Sequence, residues 1–197
     1  MVLMKKLIGI FAFLAVCAAP ATAQGVQRFD FSAGGSFRVF QQTFTADEAK
    51  VGMPGWYVSG DYNIHKFRNH FGLEMEGSGN YRNLITLGNT SIYTLLVGPK
   101  IYPFGHHKLT PFGHVLFGGG YYRDAVPPQT NFPHHIYEYG SGVWEGGVGL
   151  DMNLKKHWGV RMIEFDYAQT RFPIFGPYAS EANYKVSIGI NYRFGAR

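Results

Sequence analysis

The chain has 197 residues, of which 46% are hydrophobic, 17% aromatic and only 16% charged, and it carries 26 glycines. So little charge beside so many aromatics excludes a disordered segment or a charged helical bundle, and the glycines follow no collagen period. The formal net charge of +5 comes from dispersed lysines and arginines with no basic stripe among stacking aromatics, so no nucleic-acid partner is expected.

Residues 1–23 have the layout of a cleaved secretory signal peptide. Lys5 and Lys6 precede an uncharged run from Leu7 to Ala19, too short to cross a bilayer as a helix, and Ala21-Thr22-Ala23 supplies small residues for cleavage. The mature chain is then one domain, 24–197. Cys17 is the only cysteine and lies inside the leader, so no disulfide can support that domain. Val16 stands where a lipoprotein signal requires a small residue, so Cys17 is not expected to be acylated.

Period-two alternation then recurs in eight stretches. The first sets Phe29, Phe31, Ala33, Phe37 and Val39 against Asp30, Ser32, Ser36 and Arg38. In the second, Trp56, Val58, Tyr62 and Ile64 oppose Tyr57, Ser59, Asp61, Asn63 and His65. Phe71, Leu73, Met75 and Tyr81 oppose Glu74, Glu76, Ser78 and Asn80 in the third. The fourth, Ile92 to Tyr102, is apolar on both faces and its register is open. The fifth sets Val115, Phe117 and Tyr121 against His114, Gly118 and Gly120. Trp144, Val148, Leu150 and Met152 oppose Ser141, Glu145, Asp151 and Asn153 in the sixth. Ile163, Phe165 and Tyr167 oppose Glu164 and Asp166 in the seventh. The eighth sets Tyr184, Val186, Ile188, Ile190, Tyr192 and Phe194 against Lys185, Ser187, Gly189, Asn191 and Arg193.

The connections have their own rhythm. Gln41–Pro54, Arg82–Ser91, Tyr122–Tyr139 and Phe172–Asn183 are long; those around Arg68-Asn69-His70, Pro103–Leu109 and Lys155–Trp158 are short. Alternating connection lengths and an even strand number describe an up-and-down barrel with short turns at one rim and long loops at the other. The fold expected is therefore all-β, an eight-stranded antiparallel up-and-down transmembrane β-barrel.

Two features turn the apolar face toward lipid. Phe29, Trp56, Tyr81, Tyr93, Tyr102, Tyr121, Trp144, Tyr167, Tyr184, Tyr192 and Phe194 cluster near strand ends, where interfacial girdles are built. The other face carries opposite charges, which must pair inside so narrow a barrel. Arg38, Glu74, Glu76, Glu145, Glu164, Asp166, Lys185 and Arg193 are the candidate interior charges, joined by Asp30, Asp61, Asp151, Lys100, His65 and His114.

The chain closes with Ser187-Ile188-Gly189-Ile190-Asn191-Tyr192-Arg193-Phe194, followed by three further residues. Ser187, Gly189, Tyr192 and Phe194 in this spacing resemble the carboxy-terminal assembly signal of bacterial outer-membrane barrels. The mature chain as a whole resembles the small eight-stranded outer-membrane barrels, the OmpA-like transmembrane domains and their single-domain relatives. The resemblance implies an outer-membrane location, contact with outer-membrane lipids and lipopolysaccharide, and insertion by the barrel-assembly machinery. It also implies a structural or surface-interaction role with specificity in the external loops, whose partner is unknown. The peptidoglycan-binding domain frequent in that family is not expected here, so a wall-anchoring role is not carried over.

Chemistry is not evident. Lipid hydrolases and acyl transferases on such barrels need a histidine base beside an activated hydroxyl, and no His-x-Ser arrangement occurs. The adjacent pairs His106-His107 and His134-His135 point apart on extended chain, so no metal site is expected. Gly118-Gly119-Gly120 and Gly146-Gly147 lack the residues of a phosphate cradle and suit close packing. No catalytic, cofactor or metal residue is assigned. Lys50, Arg82, Arg123 and Arg171 could meet lipopolysaccharide phosphates. A narrow ion-conducting pore and a soluble lipocalin-like barrel around an apolar ligand are the alternatives, because both share the same alternation.

Overall fold

The computed structural model describes residues 28–44, 47–64, 70–84, 88–104, 108–126, 135–170 and 181–195. The expected leader, 1–23, lies outside them. Eight strands follow in order: β1 Phe29–Phe44, β2 Asp47–Ile64, β3 Phe71–Leu84, β4 Gly88–Ile101, β5 Leu109–Val126, β6 His135–Asn153, β7 Trp158–Thr170 and β8 Glu181–Phe194. Each pairs antiparallel with the next, and β8 returns to β1 with Phe29 opposite Phe194. No sheet edge is left, as hydrocarbon requires.

The strands are tilted. Cross-strand partners followed from Phe31 through Gly60, Met75, Val97, Phe117, Trp144 and Gln169 end at Ala182, whereas Phe31 itself pairs with Tyr192. Closure thus displaces the ladder ten residues along β8, the stagger that accompanies a tilt of roughly 40°. Strand prolines sit where one ladder is interrupted. Pro54 lies just past the last β2–β3 pair and Pro111 two residues past the last β4–β5 pair, while Pro99 falls in a gap between Val97↔Phe117 and Lys100↔His114. A missing N–H costs least at such places.

The strands reach further than the alternation indicated. Most of Gln41–Pro54 is sheet, since β1 runs to Phe44 and β2 begins at Asp47. β3 and β4 take up most of Arg82–Ser91, and β5 and β6 cut Tyr122–Tyr139 to 127–134 between them. Connection length therefore does not follow the expected long–short rhythm. Beyond the apolar belt both sheet faces meet polar surroundings, so backbone pairing continues without a hydrophobic alternation to mark it.

Outward side chains form an apolar wall. At the rim away from the chain ends, Trp56, Tyr81, Tyr93, Tyr121, Trp144, Tyr167 and Tyr184 run from β2 round to β8, with exposed Phe37 on β1. Neighbours touch: the Trp56 indole N–H donates to the Tyr81 hydroxyl at 2.9 Å, and ring centroids lie 5.6 Å apart for Tyr81–Tyr93, Trp144–Tyr167 and Tyr167–Tyr184. The lower girdle holds Trp158, Tyr192, Phe194, Phe29, Tyr62 and Phe71 on β7, β8 and β1–β3. Phe71 and Tyr81 are ten residues apart on β3, about 25 Å along the normal at that tilt, the height of an outer-membrane apolar band. Tyr102 is a correction. It is 1% exposed and belongs to the inward row of Lys100, not to a girdle.

Candidate functional site

The lumen is built from the other parity. β1 contributes Arg38, β2 Asp61, β3 Glu74 and Glu76, β4 Lys100, β5 His114, β6 Glu145 and Asp151, β7 Arg161, Glu164 and Asp166, and β8 Lys185, all buried. Every strand thus supplies at least one charged or titratable group to a single network.

The network can be followed from the lower end upward. The Lys100 ammonium donates to Asp61 at 3.0 Å and to Glu74 at 3.3 Å. Glu74 meets Nδ1 of His114 at 2.7 Å, and Nε2 of that ring meets Asp166 at 2.9 Å. Lys185 lies 3.3 Å from Asp166, donates to Glu145 at 2.6 Å and also to Glu76. Arg38 reaches Glu145 at 3.5 Å and donates from Nε to Asn80 at 3.2 Å. A side branch joins Arg161 to Glu164 at 2.5 Å, Asp151 at 3.1 Å and Glu74 at 3.8 Å. Nearer the lower rim, Arg193 and Asp30 pair at 3.3 Å. The eight candidate interior charges all lie inside the barrel, Arg193 at its lower mouth.

Small residues make the room. A Cβ on Gly147 would stand 1.8 Å from the Asp166 carboxylate and 2.7 Å from the His114 ring, so the histidine–aspartate contact needs glycine there. Gly149 does the same for Phe112, whose ring lies 4.2 Å from the Lys100 ammonium and 4.7 Å from the Arg161 guanidinium. Both cations receive a π-face as well as carboxylates.

Arg161 was not anticipated, because its parity is that of the outward residues Ile163 and Phe165. The pairing shifts by one residue between Arg161 and Glu164, leaving Met162 and Ile163 exposed in succession and turning both charges inward. Such a shift is a β-bulge. Its trace in the sequence is two adjacent apolar residues flanked by charges of opposite sign.

The upper lumen is not polar throughout. Leu96, Leu116 and Val143 form one buried cluster, and Met53, Ile92 and Tyr122 form another with Tyr139 against it. These give the fourth stretch its register: Ile92, Leu96 and Lys100 face inward, while Tyr93, Leu95, Val97 and Ile101 face outward.

The described residues include two groupings with donor atoms close enough for a cation: Glu74, His114 and Glu164, and His114, Glu145 and Asp166. Lys100, Arg161 and Lys185 already fill the space among these carboxylates, and both ring nitrogens of His114 face carboxylate oxygens. The arrangement is a hydrogen-bonded tie between strands. His70 and His157 bond backbone carbonyls of Tyr102 and Arg193 at the lower rim. His65, His106, His107 and His134 lie outside the described residues.

The terminal motif sits on the closing strand. Ser187 and Gly189 face inward, and a Cβ on Gly189 would collide with the Ala33 carbonyl and the Tyr57 hydroxyl. Tyr192 and Phe194 stack in the lower girdle, Phe194 also on Phe29 at 5.5 Å. Gly195 then takes φ of 91°, the left-handed region where glycine is favoured. At the opposite rim Arg82 is half-buried and Arg123 pairs with Glu138 at 3.5 Å in solvent.

Comparison with known proteins agrees with this architecture. The structure resembles Ail, the attachment invasion locus protein of Yersinia pestis, solved with the heparin analogue sucrose octasulfate (TM-score 0.58, 14% identity, 85% of this chain and 99% of that one). It also resembles Neisserial surface protein A (TM-score 0.65, 10% identity, 84% and 97%) and OprG of Pseudomonas aeruginosa (TM-score 0.52, 17% identity, 88% and 99%). No curated protein sequence matches. The profile of the family described as "Outer membrane protein beta-barrel domain" matches residues 9–194, and the chain, an integral barrel of the outer membrane, belongs to that family.

Proposed function

We propose that the barrel serves a structural or surface-interaction role, with specificity carried by the rim away from the chain ends and by the connections 45–46, 85–87, 127–134 and 171–180. The observation that carries this reading is a lumen filled by its own side chains. The charge network occupies its lower and middle parts, and two apolar clusters lie above it among buried polar side chains such as Asn80 and Asn183. Arg38, Lys100, Arg161 and Lys185, each buried against carboxylates, stand across the middle of that lumen, which speaks against a conducting pore. Both nitrogens of His114 are engaged by carboxylates, so this ring does not serve as a base for a hydroxyl nucleophile.

Three parts of the reading concern export and partners. Residues 1–23 act as the cleaved leader. Ser187, Gly189, Tyr192 and Phe194 present the closing strand to the barrel-assembly machinery. Arg82 and Arg123, with Lys50 and Arg171, meet lipopolysaccharide phosphates; no side-chain contact of Lys50 or Arg171 belongs to the described structure. Binding of a polysulfated ligand is a property of Ail, and it supports testing polyanions on this rim.

Protease treatment of intact cells, followed by fractionation, tests the reading. Recovery in the outer membrane with cleavage confined to those four connections is expected. Protection of all four, or steady conductance of the purified barrel in a planar bilayer, would overturn it.

A further inference from the structure

The aromatic lower girdle is interrupted on one side. On β4, β5 and β6 the girdle level is held by Ile101, Leu109 and Met152 in place of aromatic rings. Above this gap the outer wall is indented by a groove of about 450 Å³, bordered by Ile101, Pro103, Pro111, Gly113, Val148 and Ile163. Its origin is local. Gly113 offers no side chain between Ile101 and Val148, the prolines are short, and the β7 bulge sets Ile163 at the far edge.

Directly beneath lie two turns tied together, because the Asn153 amide donates to the Lys108 carbonyl at 2.8 Å. They present exposed Lys108 and Lys155, flanked by exposed Phe104 and Leu154. Lys108 is five residues below Gly113 on the descending line of β5, roughly 13 Å along the normal at the barrel's tilt. That is the separation between a phospholipid's phosphate and the middle of its acyl chain.

We propose that this face holds one anionic glycerophospholipid of the periplasmic leaflet, an acyl chain in the groove and the phosphate against Lys108 and Lys155. Both halves of the site match that amphiphile: an apolar recess at bilayer depth and two exposed lysines at the interface, on the rim that carries the chain ends. A zwitterionic phospholipid brings the same phosphate, but its own headgroup cation offsets the attraction to the lysines. The proposal rests on the barrel's placement in the bilayer and not on the role assigned to the external rim.

Native mass spectrometry of the barrel released from micelles, titrated with dioleoylphosphatidylglycerol or dioleoylphosphatidylcholine, tests it. The unmodified barrel should retain one phosphatidylglycerol, favoured over phosphatidylcholine by roughly tenfold at low salt. Lys108→Gln with Lys155→Gln should bring that ratio close to one, lowering retention of phosphatidylglycerol much more than that of phosphatidylcholine. Gly113→Phe should lower retention of both lipids; a Cβ there has only ordinary contacts, the nearest at 3.6 Å, so the ring can enter the groove without disturbing the sheet. Equal retention of the two lipids, or a preference that survives the lysine substitutions, would overturn the site. The heat-dependent gel shift of the same samples reports the barrel itself, which separates loss of the site from loss of the fold. Should Gly113→Phe fail to fold, the lysine pair decides alone.

Discussion

The wall and the lumen come from alternate residues of the same eight strands, yet they are specified differently. Along β4 the outward residues Tyr93, Leu95, Val97 and Ile101 need only be apolar at the right depth, because acyl chains conform to whatever shape they meet. The inward residues Lys100 of β4, Glu74 of β3 and His114 of β5 each need a particular partner at a particular height. A slip of one residue would leave hydrogen bonding possible but turn Glu74, Glu76, Lys100 and Lys185 into hydrocarbon, which is why the lumen specifies register and the wall does not. A buried ion pair is weak evidence for net stability, but breaking one is expensive because the remaining charge is stranded.

That asymmetry orders the expected effects. Lys185→Ala strands Glu76 and takes one of two partners from Glu145 and from Asp166, and should cost about 3–5 kcal/mol in reversible denaturant unfolding from vesicles. A cost below that of a wall substitution would break the distinction. Val97→Arg, midway down the outward row of β4, should cost about 2–4 kcal/mol, and the same change nearer a girdle less. Gly147→Ala should cost about 1–3 kcal/mol, because its Cβ would press on the Asp166 carboxylate, while Gly113→Ala on the wall should be close to neutral. Arg123→Ala, at the solvated rim, should change unfolding by less than about 1 kcal/mol.

Much of this division could be read from residue order alone, since period-two alternation assigns parity wherever one face is charged. Glu74, Glu76, Lys185 and Arg193 are of that kind. Parity fails where the ladder shifts, which hid Arg161 behind the Met162-Ile163 bulge. It is also silent where the lumen is apolar: Ile92, Leu96, Leu116 and Val143 look no different from lipid-facing residues until closure places them inside. Tyr102 shows the same difficulty from the other side, an aromatic at a strand end that suits a girdle but belongs to the inward row. Strand ends escaped notice because backbone pairing beyond the belt leaves no pattern in the side chains. The break in the lower girdle depends on register across β4–β6, which only the closed barrel supplies.

Orientation of the wall is the claim on which the rest stands. Cys17 being the only native cysteine, nitroxide labels can be placed at Val186, Ile188 and Ile190 of β8 in barrels reconstituted into bilayers, and their collisions with oxygen and with a water-soluble nickel complex compared. Collisions dominated by oxygen, most strongly for Ile188 and Ile190, are expected of side chains among acyl chains. Nickel collisions dominating at those positions would show that this face meets water and would contradict the account.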